Sequence, residues 1–373
     1  MSSQQRLTIG TETLGLVLDA AGNAHVPVNL RGGPGIGKTA VLTALAHARQ
    51  RHLEIVISSV REPSDFAGLP LVSDGEVTSL APPRWAKAIA EAGEGLIFFD
   101  EVNTATPAVQ AALLRVITEG WVGDLTLPDD TWYVAAMNPV EIAAGGWDLA
   151  PPLANRFLHL PVAADAELWA EGMLSNWAAA SEPRLSIDPP DEQRAVVMAR
   201  ITAFVRTQPE FLYKLPDDPQ EASGAWPSPR SWDYLSRVLP RIPEDADQAI
   251  LAVCTGLVGD RAATEFLTFV EQYDLPSPTE LLADPALLNW TDERGDRILN
   301  ALQSVVGLIS LTKSAEQFGQ ALVLIRAALD AERDDIAAAV IRPLMSAKPD
   351  GATVELTLMA RFTPLLARAG KVG

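Results

Sequence analysis

Through the first 163 residues the apolar positions switch repeatedly between two periods. Residues 11–21 place Leu14, Val17 and Leu18 on one helical face, and residues 26–30 form a short apolar strand that runs directly into glycines. A helix is predicted over residues 38–50, with Val41, Leu42, Leu45 and Ala48 at helical spacing. Residues 53–60 are a second β-rich run, and residues 96–100 are an apolar run ending in an acid. Thr106 can cap the next helix, with Pro107 in its first turn. Val109, Leu113, Val116 and Ile117 form the apolar face of that helix, and Gly120 ends it. Residues 131–137 and 157–162 complete five strand candidates. Strands alternating with helices predict an α/β fold whose parallel sheet is covered on both faces.

Residues 68–83, between the second and third strands, read GLPLVSDGEVTSLAPP. The Asp74-Gly75 pair, flanked by alternating apolar residues, predicts a β-hairpin inserted into an otherwise helical connection. Beyond about residue 163 the strand pattern stops. Helical stretches follow, broken at proline-rich points near 188–190, 216–219 and 276–278, with no fixed-period repeat. The expected organisation is an α/β domain over residues 1–163 with the hairpin near 68–83. A helical lid domain over 164–285 and a helical C-terminal segment over 286–373 follow.

Composition narrows the function classes. A chain of 373 residues with 48% hydrophobic content can bury two or three cores. No apolar run approaches the ~18 residues of a membrane span, and MSSQQRLTIG lacks the regions of a signal peptide. The single Cys254 cannot form an internal disulfide and reads as a small apolar residue in a helix. A cytoplasmic setting is expected. The net charge of −19 disfavours nucleic acid as the principal substrate, because phosphate neutralisation needs lysine and arginine. A ring-shaped assembly could still concentrate its few cations in a pore.

The chemistry-bearing residues lie at the ends of the predicted strands. Gly32, Gly33, Pro34, Gly35, Ile36, Gly37, Lys38 and Thr39 fit the phosphate-binding pattern G-x-x-x-x-G-K-[ST]. Glycines let successive backbone N–H groups point at phosphates, and the following helix adds its positive dipole end. Lys38 would reach the β and γ phosphates of ATP, and Thr39 would ligate Mg2+. The bland alternative is a glycine-rich turn. Asp100, at the tip of an apolar strand, can hold the Mg2+ water shell, and Glu101 can orient or deprotonate an attacking water. Two acids in a solvated turn are the plain alternative. Asn138 follows another strand end, where its amide can reach the γ-phosphate or the water, though Asn-Pro also opens ordinary turns.

Arg156 directly precedes the fifth strand and can stabilise transition-state charge on a neighbouring subunit's nucleotide, or simply pair with a surface acid. Arg230 opens a later helix, where a cation is unfavourable for the dipole unless an anion joins it. His25, His47, His52 and His159 have no metal-ligand spacing. Trp85 can face a partner or pack inward, and the acids at 332–335 read as a solvated helix face.

This ordered set resembles the AAA+ superfamily, and within it the MoxR-like ATPases, over about residues 8–285. GGPGIGKT matches Walker A, LIFFDE matches Walker B, Asn138 matches sensor 1, Arg156 in NRF matches the arginine finger, and Arg230 in SPRSW looks like sensor 2. The hairpin at 68–83 and DEVNTATPAVQAALLRVITEG resemble the branch shared with magnesium-chelatase ATPase subunits. The segment after Trp85 departs from the wording of that branch, and residues after about 285 match nothing in it. The resemblance implies ATP and Mg2+ as ligands and a hexameric ring with interface sites. It also implies a partner carrying a von Willebrand factor A domain, with a protein client to be remodelled or matured. Whether Arg230 serves its own or a neighbour's nucleotide stays open. Two alternatives remain: a nucleic-acid motor or loader on the same ATPase, and a slow ATP-gated assembly switch.

Overall fold

In the computed structural model, residues 11–73, 76–139, 146–174, 183–272 and 275–369 are described. Nine strands occur among them: β1 (Val28–Arg31), β2 (His52–Ile57), β3 (Leu69–Ser73), β4 (Glu76–Ala81), β5 (Gly95–Asp100), β6 (Trp121–Val122), β7 (Leu125–Thr126), β8 (Thr131–Met137) and β9 (Leu158–Pro161). Five of them form one parallel sheet in the order β2-β5-β8-β1-β9. The chain leaves β1, crosses to the far edge as β2, and then fills the gap with β5 and β8. Because all five strands run the same way, their C-terminal tips share one edge, which is where ligands of open α/β sheets bind.

Register decides what reaches that edge. Arg31 pairs with Met137, Phe99 with Ala135 and Ile57 with Asp100. Gly32, Glu101, Asn138 and Ser58 are thus the first residues past their strands. The second predicted strand stops at Ile57, and Ser58–Val60 forms a 3-10 turn instead. That turn brings a serine, rather than more strand, to the tip of β5.

Local chemistry explains the helices around the sheet. The Thr106 hydroxyl accepts from the Val109 N–H, Pro107 takes the first turn, and Gly120 closes Pro107–Glu119 in the left-handed region. Pro219 and Pro278 likewise occupy first turns, where a missing N–H costs nothing. Trp85 packs inward, only 5% exposed, with its ring 6.1 Å from Phe66 and 6.0 Å from Phe99. Cys254 is buried in a helix, and burial pushes its thiol up to about 12.

The hairpin insert is present as antiparallel β3 and β4; its Asp74-Gly75 turn lies outside the described residues. It docks on a second hairpin, β6–β7, that the sequence reading did not anticipate. The Leu80 N–H donates to Asp124 (2.7 Å), and the Asp124 N–H donates to the Leu80 carbonyl (3.0 Å). Between them Gly68 and Gly123, both at positive φ, approach so closely that a Cβ on Gly68 would lie 2.7 Å from the Gly123 Cα.

By contacts the chain forms two units: residues 1–187 with 211–264, and residues 188–210 with 265–373. The expected 164–285 segment is therefore divided between them. The first unit holds the parallel sheet and the helices Pro229–Val238 and Asp247–Val258. In the second, Asp191–Thr207 packs on Gly295–Thr312, with Gly307 of that helix beside Ala195. Ile298, Leu302, Val305 and Ile309 form the apolar stripe of that helix over Phe318 and Phe362. Among the described residues no helix is long and apolar enough to cross a membrane.

One buried anchor sits within the first unit. Asp19 is fully buried and accepts from both Nε and Nη2 of Arg49 at 2.6 Å, and from the Ser186 N–H (2.8 Å) and hydroxyl (2.7 Å). Arg49 closes the helix Lys38–Ala48, so this carboxylate ties that helix to the stretch just before residue 188.

Candidate functional site

Residues 32–39 connect β1 to the helix Lys38–Ala48. Gly35 (φ +75°) and Gly37 (φ +94°) take left-handed conformations, and a Cβ on either would meet nothing within 4 Å. The loop is thus open on the side a side chain would occupy. Gly37 caps the helix without any side-chain acceptor, and no acid lies in its first turn. The first N–H groups keep their preference for an anion.

Lys38 is buried at the start of this helix. Its ammonium donates to the carbonyls of Gly32 (2.7 Å) and Gly33 (3.0 Å) and lies 3.4 Å from Oδ1 of Asn138. All its donors thus meet oxygens, the partners a phosphate also presents. Burial lowers its pKa, while the carboxylates of Asp100 and Glu101 act the other way. Asp100 mirrors this: burial raises its pKa against the Glu101 N–H and the Lys38 charge. The Glu101 N–H bonds Oδ1 of Asp100 at 2.9 Å. Thr39 is exposed at the mouth of the loop.

Glu101 has φ +56°, a left-handed conformation that costs a side-chain-bearing residue ~1 kcal/mol. Neighbouring bonds impose it. The Val102 N–H reaches the Ala136 carbonyl (3.0 Å), and both the N–H (3.0 Å) and hydroxyl (2.8 Å) of Thr104 fold back onto the Glu101 carbonyl. The turned carboxylate accepts from the Ser59 hydroxyl at 2.5 Å. Asn138, past the end of β8, is bonded through its backbone to the side chain of Asn103. Lys38, Thr39, Asp100, Glu101 and Asn138 thus gather at the sheet's C-terminal edge.

Arg156 and Arg230 form a second cluster. Burial first, then the charge of Arg230, lower the Arg156 pKa, with Tyr234 opposing. Arg156 also donates to the Pro152 carbonyl at 2.5 Å. Arg230, at the exposed start of Pro229–Val238, reaches Oδ1 of Asn155 at 3.4 Å; that oxygen also accepts from Ser228 at 2.9 Å. Tyr234 stands among Arg156, Arg230 and Arg237, with the Arg237 guanidinium 4.8 Å over its ring. Among the described residues, no hydrogen bond or ion pair joins Arg156 or Arg230 to Lys38, Asp100, Glu101 or Asn138. Two guanidiniums held side by side without an acid repel, and a shared anion would relieve that.

Sequence reasoning missed Ser59, Asn103, Asn155 and Tyr234. Asn103 was within reach, three residues past the strand tip at Asp100, whereas Ser59 lay inside the run read as strand over 53–60. The histidines gather no metal site: among the described residues no three of His, Cys, Asp or Glu are grouped to hold an ion. The Thr39 hydroxyl and the Asp100 carboxylate are oxygen donors of the kind Mg2+ takes, which uses one or two protein oxygens and completes its shell with water and phosphate.

Residues 27–159 match the model of the ATPase family associated with various cellular activities (AAA). The transcriptional regulatory protein XylR of Pseudomonas putida is 34% identical over 130 residues, 32% of this chain and 23% of the regulator. The phenol regulator MopR of Acinetobacter guillouiae is 35% identical over 130 residues, 33% of this chain and 23% of that protein. The chain thus spans about a quarter of the length of these curated relatives. A crystal structure of a candidate ATPase from Cytophaga hutchinsonii is similar over 69% of this chain and 80% of that one, with 20% identity and a TM-score of 0.41.

Proposed function

We propose that this chain, whose residues 27–159 match the AAA family model, hydrolyses ATP with Mg2+ as a MoxR-like ring assembly. The N–H groups of residues 33–39 and Lys38 would bind the phosphates. Thr39 and Asp100 would hold Mg2+, which when bound neutralises charge on the β and γ oxygens. Glu101 would orient the attacking water and accept its proton, and Asn138 would contact the γ-phosphate or that water. The cycle would remodel or mature a protein client, with a partner carrying a von Willebrand factor A domain. That last extension rests on the MoxR resemblance.

The observation carrying the assembly part is the separation of the two clusters. Arg156 and Arg230 sit together, and among the described residues neither has a salt bridge to an acid or a hydrogen bond to the chain's own Lys38–Asp100–Glu101–Asn138 group. Both would serve the nucleotide of an adjacent copy, which makes a lone subunit incomplete.

A mixing experiment tests this. Arg156→Ala and Glu101→Gln proteins should each be nearly inactive in Mg2+-dependent ATP hydrolysis. Mixed, they should regain a measurable fraction of wild-type turnover, because an interface then joins an intact Glu101 to an intact Arg156. Normal turnover by Arg156→Ala alone would sink the assignment. Turnover that appears only with added DNA or RNA would favour a nucleic-acid motor instead.

A further inference from the structure

Asn103 is fully buried, and both its amide groups are spent on the backbone of one distant residue. Its Oδ1 accepts the Asn138 N–H at 3.2 Å, and its Nδ2 donates to the Asn138 carbonyl at 2.8 Å. A turn asparagine ordinarily bonds its own loop or the next helix. Here it reaches across to a different strand.

The reason lies in where the ladder ends. Pairing of β1 with β8 stops at Arg31–Met137, and pairing of β5 with β8 stops at Phe99–Ala135. Asn138 is the first residue of its strand past both neighbours, and the Asn103 amide supplies the strand-like partner it would lack. Asn103 is itself fixed. Its carbonyl accepts the Trp147 N–H at 2.6 Å. Buried Gln110 donates to the Ala105 carbonyl (3.3 Å) and accepts the Ala150 N–H (3.4 Å), holding the same turn from behind. The turn begins at Glu101, whose carbonyl Thr104 grips twice.

We propose that Asn103 is a positioning residue: by holding the Asn138 backbone it aims the Asn138 amide at the phosphate end of Lys38 and locks it to the Glu101 turn. The carboxylate that would orient water and the amide that would contact the γ-phosphate then move as one block. This rests on the ATPase reading above, and the test separates the two.

Amide hydrogen exchange on the full-length protein reads the grip without turnover. In Asn103→Ala the Asn138 N–H should exchange at least about tenfold faster, while protected amides of β2 keep their rates. Turnover is then read as a cycle. Asn103→Ala should lower kcat at least about tenfold with KM within about threefold, yet cost under about twofold in an Asn138→Ala background, where the aimed amide is gone. Equal losses in both backgrounds, or unchanged exchange at Asn138, would overturn the proposal. If Asn103→Ala fails to fold, Asn103→Ser fills more of the site and leaves a hydroxyl that can replace only one of the two amide bonds. It should show the same pattern at smaller size, and wild-type kcat with wild-type exchange would overturn the proposal. A parent protein with no turnover would defeat the ATPase reading, and exchange at Asn138 would still decide the role of Asn103.

Discussion

The Ser59 hydroxyl donates to Oε2 of Glu101 at 2.5 Å, so the turn after β2 holds the carboxylate that emerges from β5. The bond crosses between two neighbouring strands of the sheet, and it needs the oxygen rather than the charge. Glu101→Gln keeps that oxygen and the shape of the turn while removing the base. Nucleotide affinity should stay within about threefold, and turnover should fall by about a hundredfold or more. Equilibrium binding and steady-state hydrolysis on the same preparation check both halves. Full activity would remove Glu101 from its role.

Asp19 makes the strongest single anchor described above. Asp19→Ala would leave Arg49 without its bidentate partner and the Ser186 N–H without an acceptor. Breaking one side of a fully buried pair costs about 3–5 kcal/mol, and Arg49, 30% exposed, can recover part of that from water, so about 2–4 kcal/mol is expected. Urea denaturation should show a loss of that order, and cleavage by a protease near residue 186 should become easier. A loss below about 1 kcal/mol would mean the pair is solvated in solution.

Gly123→Ala tests the docking of the two hairpins. Its φ of +60° disfavours any side chain, and the new Cβ would lie 2.4 Å from the Leu80 carbonyl oxygen. Neither backbone can yield cheaply, so a loss of about 2–4 kcal/mol is expected by thermal unfolding. ATP affinity should be unchanged, because the contact is remote from residues 32–39. An unchanged melting temperature would show that the hairpins do not dock this way.

His159 gives the protein a specific acid sensitivity. Burial, then the charge of Arg31, hold its pKa down to about 3, against 6.5 when free, with the Ala154 carbonyl opposing. Its Nε2 contacts that carbonyl at 2.8 Å, and Nδ1 faces the Asn29 amide at 3.3 Å, which suits a neutral ring. Above pH 6.5 neither folded nor unfolded chain binds the proton, and pH has no effect through this group. As pH falls from 6.5 towards 3, only the unfolded chain takes it up, so stability is lost. The full extent is on the order of 4–5 kcal/mol. His159→Gln should flatten the stability–pH curve across that window; parallel curves would refute the assignment.

Much of the site was legible in the sequence because its residues mark transitions between periods. Glycines after an apolar strand, acids at the tip of another and Asn138 past a third are visible wherever period 2 ends. Helix Pro107–Glu119 was legible for a similar reason: Thr106, Pro107 and Gly120 each have one local job. The β6–β7 hairpin was missed although Gly123-Asp124 lies between Trp121-Val122 and Leu125-Thr126, since strands of two residues leave no alternation to count. The neighbourhood of Arg156 and Arg230, and the reach of Asn103 to Asn138, depend on strand order and register. Neither has a local signature. The division of residues 164–285 between two units follows from the packing of Asp191–Thr207 on Gly295–Thr312, which composition does not report.

The sheet edge carries a last consequence. Ser58, Glu101, Asn138 and Gly32 are each the first residue beyond a strand, and a strand shifted by one residue turns every side chain to its opposite face. Strand length is therefore as much a functional parameter as residue identity. Deleting one apolar residue from β5 would leave every acid, amide and lysine in place and still aim Glu101 away from Ser59.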